Sequence, residues 1–329
     1  MAWDIYGHEW AADLLREHVA HRSFRQAYLF TGPQGVGRRT LALRFAQALN
    51  CPQPQAPGEP CRVCRTCLQI ENMQHPDLAI VQAERKGGVL KVDQVRELQT
   101  SLSLAPYQAP YRVAILLRFE EAHPSASNAL LKTLEEPPDR VVLMLTAESG
   151  ESLLPTIVSR CELLRLRPIR IEVIQQKLET VWGIPPEEAR LLAHLCGGRI
   201  GYAIALHQSP ELLDQRKKIL DDHQRMLVSN RVERFAYADT MAGDKDGLLQ
   251  TLEIWQSFWR DVFLRASGSQ SPLANLDRLE EIESLAERLG EGIASRMITS
   301  LQRMISLLEK NINLRLASEV IMLELPRLS

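Results

Sequence analysis

The sequence predicts an α/β fold followed by an all-α region, because the apolar periodicity changes near residue 168. In the first part, five short runs rich in Val, Ile and Leu indicate strands, and amphipathic segments separate most of them. Continuous apolar strands that alternate with helices are typical of a parallel sheet covered on both faces. The five runs are 27-AYLF-30, 78-LAIV-81, 112-RVAILL-117, 140-RVVLMLT-146 and 162-ELLRL-166.

Helices in the first part follow from apolar side chains at helical spacing. The segments 39-RTLALRFAQAL-49 and 93-DQVRELQTSL-102 have this pattern. The stretch 128–136 places its leucines on one face and its charged residues on the other. Pro137 and Pro138 then end it, because proline lacks the N–H that a helix needs.

After residue 168 the pattern is helical. The segment 169–208 contains short helices interrupted at 183-GIPP-186 and 197-GG-198, which favours a small helical domain. From 209 to 329 two apolar stripes at helical spacing predict a bundle core, with the loop 266-ASGSQSP-272 between their helices. The predicted domains are therefore 1–168, 169–208 and 209–329. The stripes comprise Leu252, Trp255, Trp259, Val262 and Phe263, then Ile293, Met297, Leu301, Met304, Ile305 and Leu308.

Composition limits the class of protein. The 329 residues are 45% hydrophobic and 24% charged, as in soluble globular proteins. With 39 basic against 41 acidic residues, no global attraction to nucleic acid is expected. No apolar run is long enough for a membrane span, and MAWDIYGHEW does not resemble a signal peptide. We therefore expect a cytoplasmic protein whose six cysteines are not paired as disulfides.

The stretch 31-TGPQGVGRRT-40 follows the first predicted strand and matches a phosphate-binding loop, G-x-x-x-x-G-K-[ST], in its glycines. Such a loop wraps backbone N–H groups around phosphates at a helix N-terminus. An ordinary glycine-rich turn is the alternative, and the strand–loop–helix context argues against it. The matching glycines are Gly32, Gly35 and Gly37.

The loop departs from the motif at the two positions whose side chains contact phosphate and Mg²⁺. Arg38 replaces the lysine, and Arg39 replaces the hydroxyl residue that would hold Mg²⁺. Thr40 is no simple substitute, because one residue along a helix turns a side chain by about 100°. We expect a degenerate loop that binds nucleotide weakly or not at all.

The acidic pair that should end the third strand is also altered. Without a gap, Leu117 and Arg118 occupy its positions, whereas a gapped alignment would assign the role to Glu120 and Glu121. The second alternative requires a bulge or a shortening before Asn128. Since two parts of one site are defective, we predict that it is not catalytic.

Four cysteines have the spacing C-x9-C-x2-C-x2-C, which is typical of a closed, structural zinc site. Within a zinc-binding insertion of residues 51–67, a metal would also order the Pro-rich stretch 52-PQPQAPGEP-60, which has little apolar content. Iron–sulfur ligation is a weaker alternative, and free buried cysteines a further one. Cys161 and Cys196 lie far from the group. The predicted ligands are Cys51, Cys61, Cys64 and Cys67.

Several motifs together resemble the AAA+ clamp loader family, and the resemblance spans nearly the whole chain. NALLKTLEEPP and SRC are specific in combination, whereas the loop alone is not. The segments that carry the resemblance are 26-QAYLFTGPQGVGRRT-40, 75-HPD-77, 128-NALLKTLEEPP-138, 159-SRC-161 and 311-NINLRLASEVIMLELP-326, together with the four cysteines.

The resemblance implies an AAA+ core with a zinc-binding insertion, a small helical lid and a helical collar domain that oligomerises. It implies a subunit of a bacterial clamp loader that does not hydrolyse ATP and that helps to load the sliding clamp onto primed DNA. The implied partners are the ATPase and delta subunits of the loader, the clamp and, through the assembly, primed DNA, with no membrane.

The resemblance also implies roles for individual residues. Arg160, in the motif with Ser159 and Cys161, would be an arginine finger that acts on the γ-phosphate of a neighbouring subunit. An isolated arginine near a helix end would more simply complement the helix dipole. Thr146 would occupy the first sensor position, and Gly201 stands where the ATPase subunits carry an arginine.

Two other functions fit the same sequence. One is an ATP-hydrolysing motor subunit of the loader, in which Arg38 and the Glu120–Glu121 pair are active; steady-state hydrolysis by the purified chain would distinguish it. The other is a zinc-stabilised adaptor with a borrowed AAA+ fold, against which co-purification with loader subunits would count.

Overall fold

The computed structural model describes residues 3–85, 87–309 and 312–328, which form two compact units. One unit contains the described residues up to Lys177 together with Gly198–Tyr202. The other contains Leu178–Gly197 and the described residues from Ala203 onward. The division into domains 1–168, 169–208 and 209–329 stays a prediction. Asn311, the first residue of the last family-like segment, lies outside the described residues.

The first unit is built on a parallel sheet of five strands in the order β2-β3-β4-β1-β5. This confirms the predicted α/β fold class. The central strands β1 and β4 are buried along their whole length, as expected when helices cover both faces. The strands are β1 Ala27–Thr31, β2 Leu78–Val81, β3 Arg112–Leu116, β4 Val141–Ala147 and β5 Glu162–Arg165.

Helices cover both faces of this sheet, and an apolar core lies on each face. Alternate residues of β1 belong to different cores: Tyr28 and Phe30 to one, Leu29 to the other. A 3₁₀ turn, Phe119–Glu121, follows β3. The helices are α1 Glu9–Ala20, α2 Arg38–Asn50, α3 Arg65–Glu71, α4 Val92–Leu102, α5 Pro124–Glu135 and α6 Pro155–Val158.

The rest of the chain is helical, which confirms the predicted change after residue 168. The predicted breaks lie at helix boundaries: residues 183–185 separate two helices, Pro186 begins the second of them, and 197–198 lie before the next. No helix among the described residues is long and apolar enough to cross a membrane. The helices are α7 Ile171–Trp182, α8 Pro186–Leu195, α9 Ile200–Gln208, α10 Pro210–Val228, α11 Arg231–Met241, α12 Lys245–Ala266, α13 Leu279–Glu309 and α14 Leu314–Glu324.

The second unit has its own apolar core, to which α12 and α13 contribute most of the two predicted stripes. Trp255 and Trp259 are fully buried beside His223, whose Nε2 accepts a hydrogen bond of 2.9 Å from the Trp259 indole. Burial lowers the pKa of His223 to about 3, so the ring is neutral at physiological pH. The sequence did not predict that α13 bends at Gly290, where the φ angle is 68°.

Candidate functional site

The glycine-rich loop lies at the carboxyl end of β1, between β4 and β5. The Gly32 N–H lies within hydrogen-bond distance of the carbonyl oxygens of Ala147 (3.2 Å) and Glu148 (3.0 Å), just after β4. A Cβ at position 32 would lie 2.1 Å from the Leu166 carbonyl oxygen, at a φ angle of 145°. Only glycine fits there, so the backbone of the loop is fixed against both neighbouring strands.

Helix α2 begins directly after the loop, at Arg38. The residue that caps its N-terminus, Gly37, has a left-handed backbone with φ 111°. The first turn of a helix presents unpaired N–H groups and the positive end of the helix dipole. This arrangement keeps the geometry of an anion-binding cradle, although the side chains around it have changed.

Arg38 turns inward, whereas Arg39 and Thr40 are exposed. The Arg38 side chain is 93% removed from solvent, since the residue is 7% exposed, and its Nη1 has no hydrogen-bond partner among the described residues. Burial lowers the pKa of Arg38, while the carboxylates of Glu120 and Glu148 act in the opposite direction. The guanidinium therefore lies in a buried, acidic environment beside the loop.

The acidic residues reach this region through a turn. After β3, the chain passes through buried Leu117 and then Arg118, whose φ angle is 50°. The 3₁₀ turn that follows carries Glu120 and Glu121. Thus the residues that directly follow β3 are apolar and basic, and the carboxylates come from the turn.

The two carboxylates have different surroundings. Glu121 Oε1 accepts hydrogen bonds from Arg118 Nε (2.9 Å) and from the Gly87 N–H (3.0 Å). Burial raises the pKa of Glu120, and nearby Arg38 opposes that shift. Among the described residues, one carboxylate oxygen of each has no hydrogen-bond partner. Glu120 is therefore the acidic residue associated with the loop, and Glu121 is engaged by its own turn.

The two residues that the resemblance assigns to sensor positions make structural contacts. The Thr146 hydroxyl, at the end of β4, accepts a hydrogen bond of 2.9 Å from the Arg118 N–H. The Gly201 N–H donates to the Gly35 carbonyl oxygen at 2.9 Å. A Cβ at position 201 would lie 2.9 Å from that oxygen. Glycine is thus required for the close approach of 198–202 to the loop, a long-range contact that the sequence did not reveal.

The four predicted metal ligands converge, with all four sulfur atoms within 4.8 Å of one another. Cys51 Sγ and Cys61 Sγ are 3.6 Å apart, too far for a disulfide. Tetrahedral zinc with Zn–S bonds of about 2.3 Å separates two sulfurs by about 3.8 Å. Backbone N–H groups of Cys64 and Val63 donate to Cys61 and lower the pKa of its thiol to about 6. These residues fit a metal ion with four thiolate ligands.

A largely buried polar network joins α2 to residues 51–71, here called the cysteine module. Arg44 donates to both carboxylate oxygens of Glu71, at 2.8 and 2.9 Å, and to the Trp3 carbonyl at 3.2 Å. Gln47 donates to the Cys67 carbonyl at 2.7 Å. These contacts were not predicted, because Arg44 and Gln47 lie within an otherwise apolar helix pattern.

The SRC residues follow the short helix α6. Burial raises the pKa of Cys161 to about 12, and its side chain packs against an apolar core of the sheet. Ser159 and Arg160 are exposed. Arg160 Nη1 donates to the Thr156 carbonyl at 2.8 Å, and Nη2 lies 2.5 Å from Glu135 Oε1. The exposed guanidinium is therefore held by its own chain.

A parallel sheet of this order, with a glycine-rich loop after β1 and a C-terminal helical region, defines an AAA+ protein. Two family models match the chain: "DNA polymerase III, delta subunit" at residues 7–170, and "DNA polymerase III, delta subunit, C terminal" at 210–326. The chain belongs to this family of AAA+ clamp-loader proteins.

Similar proteins include other subunits of DNA polymerase III. DNA polymerase III subunit delta' of Bacillus subtilis is 28% identical over 92% of this chain and 91% of its own length. The delta' subunit of Pseudomonas aeruginosa is 37% identical over 48% of this chain and 47% of its own. DNA polymerase III subunit tau of Bacillus subtilis is 32% identical over 54% of this chain, which spans only 31% of that protein.

A gamma-subunit-related protein of Thermotoga maritima, whose crystal structure is known, superposes with a TM-score of 0.48. It is 17% identical, over 95% of this chain and 97% of that one.

Proposed function

We propose that this chain is a clamp-loader subunit that does not hydrolyse ATP and that supplies Arg160 to the ATP site of a neighbouring subunit. Membership of the DNA polymerase III delta-subunit family supports a role in clamp loading. The finer proposal rests on a contrast between the chain's own glycine-rich loop and its SRC motif. The chain's own loop has arginines at the positions for the lysine and the Mg²⁺ ligand, whereas the SRC arginine is exposed.

A guanidinium suits this role because of its charge and shape. In phosphoryl transfer, negative charge spreads over the γ-phosphate oxygens, and an arginine from a neighbouring subunit can stabilise it. Arg160 lies at the end of α6 with its side chain one-third exposed, so it can be presented to another molecule. Ser159 and Cys161 complete the motif, with Cys161 packed against the core beneath it.

The proposed partners are the ATPase and delta subunits of the loader, the sliding clamp and primed DNA. Relatives named delta' and tau subunits of DNA polymerase III support association with such an assembly. No membrane partner is proposed, and cytoplasmic location stays a prediction.

We also propose that the cysteine module binds one structural zinc ion. A four-thiolate set leaves no open position for a substrate, so the metal would serve to order the loop. The ligands would be Cys51, Cys61, Cys64 and Cys67, whose sulfurs already lie within 4.8 Å of one another.

A second candidate, an ATP-hydrolysing motor subunit, has one observation in its favour. Glu120 is close enough to Arg38 to influence its pKa, and one oxygen of Glu120 has no partner among the described residues. A carboxylate beside the loop could bind a metal or orient water. The exposed Arg39 and Thr40 count against this candidate, because a Mg²⁺-binding hydroxyl should face the phosphates.

The test is Arg160→Ala in a loader reconstituted with the remaining subunits. We expect it to lower the ATPase activity that clamp and primed DNA stimulate, while assembly and metal content persist. Arginine fingers contribute roughly 10³–10⁵ in rate at one site, so a ring with several hydrolysing sites loses only that site's share. Arg165→Ala, an exposed arginine at the end of β5, is the matched control.

One result would overturn the proposal. If Arg160→Ala loads clamps as the wild type does while Arg38→Ala fails, the chain's own loop is active and the motor candidate is correct.

A further inference from the structure

The proposed finger is not a free side chain. Its guanidinium contacts three groups of the same chain, and the longest of these contacts joins Nη1 to the Ser159 hydroxyl oxygen at 3.5 Å. Nη1 donates to the Thr156 carbonyl, at 2.8 Å, and Nη2 forms an ion pair of 2.5 Å with Glu135. Thr156 belongs to α6 and Glu135 to α5, so the contacts fix the guanidinium relative to two elements.

Glu135 occupies an unfavourable position for a glutamate. It is the last residue of α5, where the helix dipole is negative and a carboxylate is disfavoured. The prolines at 137 and 138 end the helix at this point and so fix where the side chain begins. The ion pair with Arg160 offsets the unfavourable interaction of the Glu135 carboxylate with the helix dipole.

The pair leaves the guanidinium able to bind a further oxyanion. A guanidinium has five N–H donors, and these contacts use one donor of Nη2 and at most two of Nη1. The Arg160 side chain is 33% exposed and that of Glu135 is 49% exposed. Exposed pairs of this kind are weak, so a phosphate could share the guanidinium without a large loss of stability.

We propose that Glu135 is a positioning residue for Arg160: its carboxylate orients the guanidinium toward the neighbouring subunit's phosphate. This inference rests on the proposed function and assigns to that function a residue in the NALLKTLEEPP segment. Without the carboxylate, the long arginine side chain would sample more rotamers, and fewer of them would present the charge correctly. Misplacing a catalytic group by about 1 Å can cost up to about 10²-fold in rate.

The experiment compares Glu135→Ala, Glu135→Gln and Glu136→Ala in the reconstituted loader. Glu136 is the adjacent exposed carboxylate, and no ion pair with Arg160 involves it. We expect Glu135→Ala to lower the stimulated kcat at the affected site about tenfold, with KM for ATP unchanged. Glu135→Gln should restore part of the rate, because its amide oxygen still accepts a hydrogen bond. Glu136→Ala should behave as the wild type.

A double variant separates positioning from a general structural effect. In the Arg160→Ala background, Glu135→Ala should cause no further loss, because the group that it orients is gone. An additive loss would overturn the inference, as would a Glu135→Ala rate equal to that of Glu136→Ala. A rate above the wild type would overturn it too, since Glu135 would then restrain the finger. If Arg160→Ala itself has no effect, the proposed function fails first.

Discussion

Arg38 and Glu120 bring opposite charges into a buried region beside the glycine-rich loop. Burial lowers the pKa of Arg38 and raises that of Glu120, so it disfavours the charged form of each. Each side chain moves the pKa of the other back toward its ordinary value. Arg38 thus has an acidic neighbour within its own chain, whereas the lysine of an intact loop contacts phosphate oxygens.

Gly201 permits the close contact of its backbone with the glycine-rich loop, so a larger residue at this position should disturb that contact. In Gly201→Arg, which introduces the residue of the ATPase subunits, the new Cβ would lie 2.9 Å from the Gly35 carbonyl oxygen. Backbone must then shift, at a cost of about 1–3 kcal/mol. We expect a lower melting temperature, faster amide exchange across 32–40 and no ATP turnover.

The control is Gly292→Ala, because a Cβ at that helical glycine would meet no described atom within 4 Å outside its own stretch of helix. Its melting temperature should stay the same or rise, since alanine favours a helix by about 1 kcal/mol over glycine. Rapid ATP hydrolysis by Gly201→Arg would contradict the prediction and would mean that one missing arginine had kept an intact site silent.

At the scale of elements, the cysteine module is a short segment whose order depends on contacts outside it. It contains the seven-residue helix α3 and a Pro-rich stretch with few apolar residues. Arg44 and Gln47 anchor its C-terminal part through Glu71 and the Cys67 carbonyl. The four sulfurs lie within 4.8 Å of one another, so a metal ion bound by them would order the segment independently of this network.

Removing one ligand should therefore loosen the module and leave the sheet folded. For Cys64→Ser we expect loss of the one zinc ion per chain and new proteolytic cleavage between 51 and 67, because three thiolates bind zinc less tightly than four. Val63→Ser, at a 78% exposed position between the ligands, is the control. Elemental analysis that finds no metal in the wild type, or finds iron, would contradict the zinc assignment.

Local pattern explains which elements the sequence could predict. Each strand contains a short apolar run, which in β5 is only two leucines, and each predicted stripe repeats at helical spacing, so both are visible in a short window of sequence. Helices α1 and α3 were not predicted. The pairing of Glu135 with Arg160 and the contact of Gly201 with Gly35 join residues distant in sequence, and only the fold brings them together.

At the scale of the whole molecule, the two compact units have different constructions. The first has a sheet with a core on each face, and the second has one helical core around Trp255 and Trp259. The glycine-rich loop, the cysteine module and the SRC residues all belong to the first unit. Family models match segments of both units, so membership of the family concerns nearly the whole chain.

The purified chain alone should not hydrolyse ATP above background. Arg39 stands where the motif has the Mg²⁺-binding hydroxyl. Buried Leu117 and partly exposed Arg118 follow β3 directly, and the two glutamates come later, in the 3₁₀ turn. Weak nucleotide binding is still expected, because the backbone cradle at the start of α2 is intact. Steady-state phosphate release with MgATP measures the first point, and calorimetric titration measures the second.

The variant Arg38→Ala tests whether the loop acts through the Arg38 side chain or only through its backbone. If the loop contributes only its backbone, the variant should bind nucleotide about as weakly as the wild type, and the loader that contains it should load clamps at nearly the normal rate. Arg39→Ala should behave in the same way, since its side chain is exposed. Hydrolysis by the isolated wild type that Arg38→Ala abolishes would establish Arg38 as a working substitute for the lysine, and the chain would then be a motor subunit.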